Sequence, residues 1–493
     1  MSALQDKFEY KWIVAVTFVL GLFLEIMDTT IMNVAIPTLE EEFGASAASM
    51  EWVVIGYLLA LAVWIPASGW IGDKVGTKKT FLFALFLFTA ASALCGQSNS
   101  LGQLIVFRLL QGVGGGMLVP VGTAMLYRSF PPAERARAST ILIVPTVVAP
   151  ALGPIIGGAI VDNTSWRWIF LVNLPIGIIA LVITNKALRL PFTPMQRKVD
   201  YVGATLLVIS VSCLILGLSW TGGSYGWLSA PTIAFFAAAL IVSIAFFRWE
   251  SRAEEPIIPL HLMKIDVVRA IVPLMILVGA VFYGANAFMP LYLQGVTGVS
   301  ATNSGLLLVP LAVAVAGTAI IIGRITSRTG TYKVWPPVGA ALALVGFIMA
   351  SLLGSTHAYL YLAMIASFFI GAGMGAIFPT STLAVQNAVE SHEIGAASSI
   401  VIFVRQLGGA IGLAIYGAIF NAQLEGRIDE KLIQTPRNIK QLESPLREAA
   451  LEVFAHAVTT VFRMAIPVLI VTVILSCLIP GRQLKGRAEV TSP

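Results

Sequence analysis

Two carboxylates, Glu25 and Asp28, lie deep inside the first apolar run of the chain. Residues three apart share one side of a helix, and a rise of 1.5 Å per residue places Glu25 about 20 Å into this run. A charge near the centre of a bilayer costs about 3 kcal/mol or more unless it has a partner or a water-filled cavity. We therefore predict that these acids exchange a proton and meet a positively charged substrate.

Arginines inside other apolar runs supply matching positive charge. Arg108 is the strongly basic residue expected in the interior of the first half of the chain. A purely structural ion pair with one acid is the alternative, but two acids and one base leave an excess negative charge. Arg405 falls within a later run, where it would either face substrate or pair with a helix end. Arg463 is nearer the end of the chain, and its charged group is expected to extend toward the membrane surface.

Aromatic and amide side chains are concentrated in one apolar run of the second half. Aromatic rings with sparse polar groups are typical of a greasy binding cavity, and an aromatic face attracts a cation. Lipid-facing or interfacial aromatic residues are the alternative for part of this set. Together with Glu25, Asp28 and Arg405, the predicted substrate-binding residues are Phe282, Tyr283, Asn286, Tyr292 and Gln294.

Membrane-spanning helices are the elements expected to position these residues. Hydrophobic residues make up 57% of the 493 and charged residues 11%, whereas a soluble domain carries roughly 25% charged residues. A span needs about 20 mostly apolar residues. Fourteen predicted spans lie near residues 12–36, 51–71, 80–97, 101–126, 139–161, 168–187, 201–219, 230–248, 268–293, 302–324, 334–354, 358–384, 397–421 and 456–480.

The loops between the predicted spans alternate in charge. Lysine and arginine follow spans 2, 4, 6 and 10, whereas the loops at 97–100, 220–229, 294–301 and 355–357 contain neither. Basic loops face the cytoplasm, so both termini are expected there, in a multi-pass protein of the plasma (inner) membrane. The loop between spans 13 and 14 is also basic, but it is long and acidic as well, where this rule loses force.

Small and basic residues recur at a nearly constant offset. A shift of 254 residues aligns Gly69, Gly76 and Lys79 with Gly323, Gly330 and Lys333. A shift of 259 residues aligns Gly112, Gly114, Gly116 and Pro120 with Gly371, Gly373, Gly375 and Pro379. Spans 1–6 and 9–14 are therefore interpreted as two parallel copies of one six-helix unit, with a substrate site between them. The expected units are an N-terminal bundle at 1–200, inserted helices 7 and 8 at 201–255, and a C-terminal bundle at 256–493.

Several motifs resemble those of one transporter family. The segment Gly69-Trp-Ile-Gly-Asp73-Lys-Val-Gly76-Thr-Lys78-Lys79 resembles the loop signature of the major facilitator superfamily, and Arg108-Leu-Leu-Gln111-Gly112 resembles its second signature. Gly153-Pro154-Ile-Ile-Gly157-Gly158 resembles the signature of its antiporters. Two further segments are similar to its fourteen-helix drug:proton antiporters, namely Asp28-Thr-Thr-Ile-Met-Asn33-Val-Ala35-Ile-Pro37 and Trp166-Arg167-Trp168-Ile-Phe170.

The sequence departs from the family pattern at two positions. Ala149 stands where the antiporter signature usually has a further glycine, and Ser327 replaces the acid in the second copy of the loop signature. The resemblance nevertheless covers nearly the whole chain. It implies an all-α integral membrane protein with two six-helix bundles and two inserted helices.

The resemblance also implies roles for residues. Asp28 is expected to be the essential proton carrier, and Arg108 is expected to lie near the acids of span 1 and modulate their proton affinity. Glu25, outside the signature, is expected to tune which cations are accepted. Conformational gating is expected of the loop residues Gly69, Asp73, Gly76, Lys78 and Lys79, and of Gly153, Pro154, Gly157 and Gly158 in span 5.

Both gating groups have plainer alternatives. The loop lies between spans 2 and 3, and Asp73 is expected just past span 2, where a capped turn with cytoplasmic lysines would explain it. The small residues of span 5 permit close helix packing, which overlaps with a role in sealing the cavity against protons. Gly112, Gly114 and Gly116 lie inside an apolar run with no preceding strand, so helix packing is favoured over a nucleotide-binding loop.

Several function classes lack their sequence signatures. The chain has no GxxxxGK[ST] loop for ATP hydrolysis and no metal-ligand spacing among its four histidines. We therefore expect no enzyme activity, no cofactor and no metal. The net charge of +6 is concentrated in short loops, which argues against nucleic acid as a partner. Expected partners are membrane lipid, small amphipathic substrates and protons, with a periplasmic adaptor protein as a further candidate, and the chain is expected to be monomeric.

The main functional hypothesis is a proton-coupled antiporter that exports hydrophobic, cationic drugs by alternating access. Export of a lipid, fatty acid or other amphipathic metabolite on the same scaffold is the first alternative. A channel or membrane sensor is the second. Two buried acids at the interface of a repeat favour a carrier over a channel.

Overall fold

The computed structural model describes residues 10–45, 47–129, 143–188, 200–221, 226, 229–254, 256–355, 359–390, 393–424 and 444–482. Helices contain most of these residues, and none of the described ranges forms a β-strand. A helix satisfies its own backbone hydrogen bonds, which is what an apolar chain surrounded by lipid requires. The prediction of an all-α protein is confirmed.

The helices are given in chain order. The first half contains α1 (Tyr10–Phe43), α2 (Ala47–Val75), α3 (Thr77–Gly96), α4 (Leu101–Ser129), α5 (Ile143–Asn163), α6 (Trp168–Leu171) and α7 (Asn173–Ala187). The middle of the chain contains α8 (Tyr201–Thr221) and α9 (Ala230–Glu250). The second half contains α10 (Asp266–Gly295), α11 (Ala301–Leu307), α12 (Val309–Thr329), α13 (Trp335–Ala350), α14 (Leu360–Ala388), α15 (Ile394–Leu424) and α16 (Leu446–Cys477), after a 3₁₀ turn at Leu260–Lys264.

Each of the predicted spans coincides with helix, although two of them are interrupted. Span 6 is divided between α6 and α7, and span 10 between α11 and α12. Pro310 lies at the start of α12, where its missing N–H costs no helical hydrogen bond. By length and composition, ten helices in the described ranges could cross a membrane, and three shorter apolar helices accompany them. The count of fourteen spans stays a prediction.

The helices of each half pack in matching pairs. In the first half α4 packs against α2 and α3, and α1 packs against α5. In the second half α14 packs against α12 and α13, and α10 packs against α15. The two halves meet where α5 contacts α11 and α12, and where α2 contacts α15. Helix α8 packs against α9, α2 and α15.

Glycines bring α4 very close to α2. A Cβ added at Gly112 would lie 2.5 Å from the carbonyl oxygen of Tyr57, and one added at Gly116 would lie 2.5 Å from that of Leu61. Small residues allow membrane helices this approach. Gly114 faces the other way, where an added Cβ would lie 2.6 Å from the backbone nitrogen of Phe88 in α3. The packing interpretation of these glycines is therefore confirmed.

The second half repeats these glycine contacts at the same offsets. Gly371 meets the carbonyl group of Leu311, and Gly375 meets that of Val315. Leu311 and Val315 are 254 residues beyond Tyr57 and Leu61, and the two glycines are 259 residues beyond Gly112 and Gly116. These are the shifts found in the sequence, and equivalent contacts are what two copies of one helical unit would make.

We expect Gly112→Val to lower the stability of the folded protein, because the added side chain must displace the backbone of α2. Overpacking of this kind typically costs about 1–3 kcal/mol. Gly102→Val is the matched control, since Gly102 lies in the same helix and an added Cβ there meets nothing within 4 Å. Thermal unfolding of both variants in detergent measures the difference. Equal midpoints for the two would contradict the packing described here.

Candidate functional site

Asp28 lies at the centre of a buried polar cluster, and 3% of its surface is exposed. Its Oδ2 lies 2.5 Å from Nη1 of Arg108. Its Oδ1 accepts hydrogen bonds from Nε2 of Gln111 at 2.7 Å and from Nδ2 of Asn173 at 2.8 Å. Three donors from two other helices, α4 and α7, thus converge on one carboxylate of α1.

Arg108 is held as completely as the acid it binds. Its Nε donates to the carbonyl oxygen of Val53 at 3.2 Å, and its Nη1 donates to Oε1 of Gln111 at 2.8 Å. Its guanidinium carbon lies 4.1 Å from the ring centroid of Tyr57, within range of a cation–π interaction. Only 1% of Arg108 is exposed. The Asp28–Arg108 pair is therefore electrically neutral and enclosed within the first half.

Polar residues that sequence reasoning did not single out complete this cluster. Nε2 of Gln111 donates to Oγ of Ser92 at 2.7 Å, and Nδ2 of Asn173 lies 3.4 Å from the same oxygen. The family motif that contains Gln111 indicates no role for it, although Gln111 lies one turn after Arg108. A single amide inside an apolar run, as at Asn173, is a signal of a buried polar contact.

Glu25 lies one turn before Asp28 and is also buried, with 7% of its surface exposed. Within the described ranges, its carboxylate forms no hydrogen bond and no ion pair. The charged groups that act on it are Arg405, from the second half, and Asp28. The two acids of α1 therefore differ: Asp28 is fully bonded, and Glu25 faces the other half of the protein without a direct partner.

Arg405 in α15 is partly buried beside aromatic rings. Its guanidinium carbon lies 4.8 Å from the ring centroid of Phe378. The rings of Phe282 and Phe378 are 5.1 Å apart in an edge-to-face arrangement. The hydroxyl of Tyr283 donates to Oε1 of Gln406. Arg405 has no carboxylate partner in the part of the chain that the structure describes, so it is a second unpaired charge.

A small cavity of about 20 Å³ lies between the two halves. Its apolar walls come from both halves, and Thr30 and Asn286 are its polar contributors. Nδ2 of Asn286 donates to the carbonyl oxygen of Phe282 at 2.9 Å, which leaves its side-chain oxygen as a potential acceptor. The remaining lining residues are Val34, Pro154, Pro290, Leu308, Leu311 and Ala312.

The structure does not bring every predicted binding residue to this cavity. Tyr292 is buried in the second half, where its hydroxyl donates to the carbonyl oxygen of Gly354 at 2.7 Å. Gln294, two residues further along the chain, is also buried, and its side-chain amide has no hydrogen-bond partner in the described ranges. Arg463 is exposed, and its Nη2 lies 3.4 Å from the carbonyl oxygen of Ser351 at the end of α13. The substrate roles of Tyr292 and Gln294 remain predictions.

The predicted loop between spans 2 and 3 is mostly helical. Helix α2 continues to Val75, so the expectation that Asp73 lies just past the helix is wrong. Polar residues extend the helix beyond its apolar part, and the turn is left to Gly76, whose φ of 102° favours glycine. Nζ of Lys78 donates to the carbonyl oxygen of Asn185 at 2.8 Å, and Lys79 is exposed. The side-chain positions of Gly69 and Asp73 lie outside the described residues.

The small residues of α5 lie against α1 and the second half. A Cβ added at Gly157 would lie 3.3 Å from the backbone of Ile31 in α1, and Gly153 faces Thr30 in the same helix. On the other side, a Cβ added at Gly305 in α11 would lie 2.5 Å from the carbonyl group of Pro154. Gly158 is buried. Helix α5 is thus in contact with both halves at once.

One polar contact between the halves was not expected from the sequence. Oδ2 of Asp162, at the end of α5, accepts hydrogen bonds from the backbone nitrogen and Oγ1 of Thr302 at 3.0 and 2.6 Å. Asp162 therefore caps the first turn of α11 in the other half. No group of three or more potential metal ligands occurs among the described residues.

The chain is similar to known membrane transporters. The sequence profile of the Major Facilitator Superfamily matches residues 18–413. The chain is 32% identical to multidrug transporter protein MdtP of Bacillus subtilis over 84% of this chain and 76% of that protein. It is 33% identical to multidrug export protein EmrB of Escherichia coli over 83% of this chain and 81% of that protein.

A solved structure shares the fold. It is the bacterial homologue of the human lysosomal transporter Spinster, in an inward-facing and unoccupied conformation. The TM-score is 0.66, and the match covers 96% of this chain and 98% of that one. The sequence identity is 17%, so the likeness shows the fold alone.

We expect Arg108→Met to destabilise the folded protein strongly, because it leaves the buried Asp28 carboxylate without its cation. Breaking a buried pair in this way costs about 3–5 kcal/mol. The double variant with Asp28→Asn removes both charges and should recover much of that loss. Arg463→Met, at an exposed arginine, is the control. Thermal unfolding of the wild type, the two single variants Arg108→Met and Asp28→Asn, and the double variant forms a double-mutant cycle that measures the coupling. Additive effects would contradict a direct pair.

Proposed function

From the premise that this chain is a member of the Major Facilitator Superfamily, we propose that it is a proton-coupled antiporter that exports amphipathic compounds by alternating access. The observation that carries the proposal is the pairing of one helix 1 acid with Arg108 while the other acid stays unpaired and faces the second half. In such a site, one acid can exchange a proton while the other binds a charged group of the substrate.

Asp28 is the proposed proton carrier. In the arrangement described above, its carboxylate accepts hydrogen bonds from Arg108, Gln111 and Asn173. Protonation would remove the negative charge of Asp28 that attracts the guanidinium group of Arg108. That group is itself always positively charged. Proton uptake is therefore coupled to separation of α1 from α4 and α7. An antiporter needs this dependence, because proton and substrate must be bound in alternating conformations.

Glu25 is the proposed contact for a positively charged group of the substrate. An unpaired carboxylate in the middle of a membrane protein is costly unless a cation or a proton neutralises it. The aromatic rings of Phe282 and Tyr283, which are 5.6 Å apart, supply an apolar environment close to it. A cationic substrate therefore fits the unpaired acid, and drug export agrees with the names of MdtP, a multidrug transporter, and EmrB, a multidrug export protein.

The proposed architecture has fourteen spans and three units. Its support is the coincidence of every predicted apolar run with helix and the repeated glycine contacts. The proposed units are the bundles at 1–200 and 256–493 with inserted helices at 201–255. The basic loops support termini on the cytoplasmic side of the inner membrane. We propose a monomer as the transporting unit, with a periplasmic adaptor protein as a candidate partner.

Gating is proposed at two places. The first is the turn between α2 and α3, where Lys78 ties the start of α3 to the end of α7, and Gly69, Asp73, Gly76 and Lys79 belong to the same segment. The second is α5, whose residues Gly153, Pro154, Gly157 and Gly158 lie where the halves meet. Close contact there would exclude water and so prevent protons from crossing without substrate.

Export of a lipid, fatty acid or other amphipathic metabolite is the second candidate. The observation in its favour is the small cavity between the halves, whose lining is mostly apolar. Both candidates use the same proton cycle, so they differ only in the compound carried. A saturable flux driven by a pH gradient would separate either of them from a channel.

We expect Asp28→Asn to abolish uphill transport of every substrate, because an amide cannot carry a proton. Glu25→Gln should weaken the binding of cationic substrates by about 1–3 kcal/mol, the range of a lost charge-assisted contact. The binding of neutral substrates should be largely unchanged. The measurement is uptake into liposomes containing purified protein under an imposed pH gradient. Asp266→Asn, at an exposed acid that begins α10, is the control. The assignment is reversed if Glu25→Gln stops all substrates and Asp28→Asn stops none.

We expect Gly157→Leu to slow transport or to make the protein leak protons, because a bulky side chain separates α5 from α1. Gly317→Leu is the matched control, since an added Cβ at Gly317 meets nothing within 4 Å. A pH-sensitive dye inside the liposomes reports the leak, and substrate uptake reports the turnover. Normal uptake with a tight membrane in the Gly157 variant would exclude a sealing role for this contact.

A further inference from the structure

We infer that Asp200 and Glu250, at one end of the inserted helices α8 and α9, form a proton-binding site in which the two carboxyl groups share one proton. Asp200 directly precedes α8, and Glu250 is the last residue of α9. The site is separate from the two acids of α1 and does not depend on the proposed transport function. With the proton bound, it holds together the ends of both helices and the segment that leads to α10.

Asp200 uses one carboxylate oxygen to hold the start of α8. Its Oδ1 accepts hydrogen bonds from the backbone nitrogen of Gly203 at 2.8 Å and from Nε1 of Trp249 at 2.7 Å. The first bond caps the helix, and the second joins α8 to the end of α9. The other oxygen, Oδ2, is buried and has no hydrogen-bond partner among the described residues.

Glu250 is bonded in the same one-sided way at the end of α9. Only 2% of its surface is exposed. Its Oε1 accepts a hydrogen bond from the backbone nitrogen of Ile258, which ties the segment after α9 back to the helix. Its Oε2 is buried and likewise has no hydrogen-bond partner in the part of the chain that the structure describes.

The two unbonded oxygens meet beside Gly203. A Cβ added at Gly203 would contact Oδ2 of Asp200 and would lie 2.9 Å from Oε2 of Glu250. Both oxygens therefore border one small space, which is open because residue 203 has no side chain. Ionised carboxylates only accept hydrogen bonds, so these two form none with each other until one of them is protonated. A single proton between them supplies the missing hydrogen bond of both.

A shared proton also removes the electrostatic cost of the pair. Two ionised carboxylates side by side repel each other, and in a buried site water does not stabilise their charges. With one proton bound, the pair carries one negative charge instead of two. Two of the three donors to that charge are already in place, at Gly203 and Trp249, and the third is at Ile258.

Neighbouring charged groups do not take the place of the proton. Neither acid of the pair forms an ion pair in the described ranges. Helix α9 packs against α8, and Arg248 and Arg252 at its end are exposed. Helix α8 also packs against α2 and α15. Lys74 at the end of α2 is exposed, and Glu393 before α15 is paired with His261.

The position of the site makes its proton a link between parts of the fold. Helix α8 contacts one helix of each half, and the segment bonded to Glu250 leads into α10. On the proposed topology this is the cytoplasmic side, because the basic loop after span 6 runs into Asp200. Loss of the proton adds a second negative charge and separates the helix ends. The stabilisation is therefore present at low pH and is lost as the cytoplasmic pH rises.

The first measurement is infrared spectroscopy of the purified full-length protein, which detects the carbonyl band of a protonated carboxylic acid. The difference spectrum between wild type and Glu250→Gln should show such a band at neutral pH, and the band should vanish as the pH is raised. In Asp200→Asn it should vanish at a lower pH, because the neighbouring negative charge is replaced by an amide. Glu448→Gln, at an exposed acid in the first turn of α16, is the matched control and should retain the band.

The second measurement is hydrogen exchange of the segment after α9, corrected for the intrinsic effect of pH. In the wild type, protection of the Ile258 amide should fall about five- to tenfold from neutral to alkaline pH, as expected for the loss of one hydrogen bond. In Glu250→Gln it should stay constant, because glutamine keeps the acceptor oxygen and cannot ionise. Native thermal stability of both variants at acidic pH excludes misfolding as the cause.

Two results would overturn the inference. The first is the absence of a carboxylic acid band from the difference spectrum together with the same exchange at Ile258 in wild type and Glu250→Gln at every pH. The second is a rise in the unfolding temperature of the wild type, and not of Glu250→Gln, on addition of sodium or calcium, since the pair would then hold a metal ion. Neither readout requires transport, so a failure of the antiporter proposal leaves this inference intact, and the reverse also holds.

Discussion

The buried ion pair between Asp28 and Arg108 is the constraint on which the first half of the protein depends. Removing two charges from water is expensive, and their mutual attraction offsets that cost only when the remaining donors and acceptors are also satisfied. Gln111, Asn173 and Ser92 meet this requirement with side chains from three helices. The relative positions of α1, α3, α4 and α7 are therefore tied to the charge state of one carboxylate.

Close backbone packing makes each half respond as a unit to such a change. Gly112 and Gly116 leave α4 no room to slide on α2, and Gly371 and Gly375 do the same for α14 on α12. Interdigitated cores do not deform gradually. Between the halves, α5 packs against α11 and α12, α2 packs against α15, and α1 contacts α10 and α11. In the proposed proton cycle, a change in charge at Asp28 is expressed as movement where the halves meet.

The features that could be predicted from the sequence are those set by neighbours in the chain. Apolar runs of span length fix where helices lie, and the repeat offsets appear again in the glycine contacts. Glu25 and Asp28 stood out because acids are costly in such runs. Gln111, Asn173 and the contact of Asp162 with Thr302 depend on residues distant in sequence, and no local pattern indicates which donors will meet. The sequence predicts the end of α2 too early, because the last residues of this helix are polar. Hydropathy marks the edge of the membrane and not the end of a helix.

The two halves differ in their buried charged groups. The first half holds Asp28 and Arg108 in direct contact and leaves Glu25 without an ion pair among the described residues. In the second half, the guanidinium group of Arg405 lies over the ring of Phe378. At the position equivalent to Arg108 the second half has Ser367, a small side chain that requires no ionic partner. The proposed proton carrier thus belongs to the first half. Because Glu25 lies one turn from Asp28, the movement of α1 proposed to follow proton uptake also moves Glu25 relative to Arg405. In the proposed cycle, this movement links the proton to the binding of substrate.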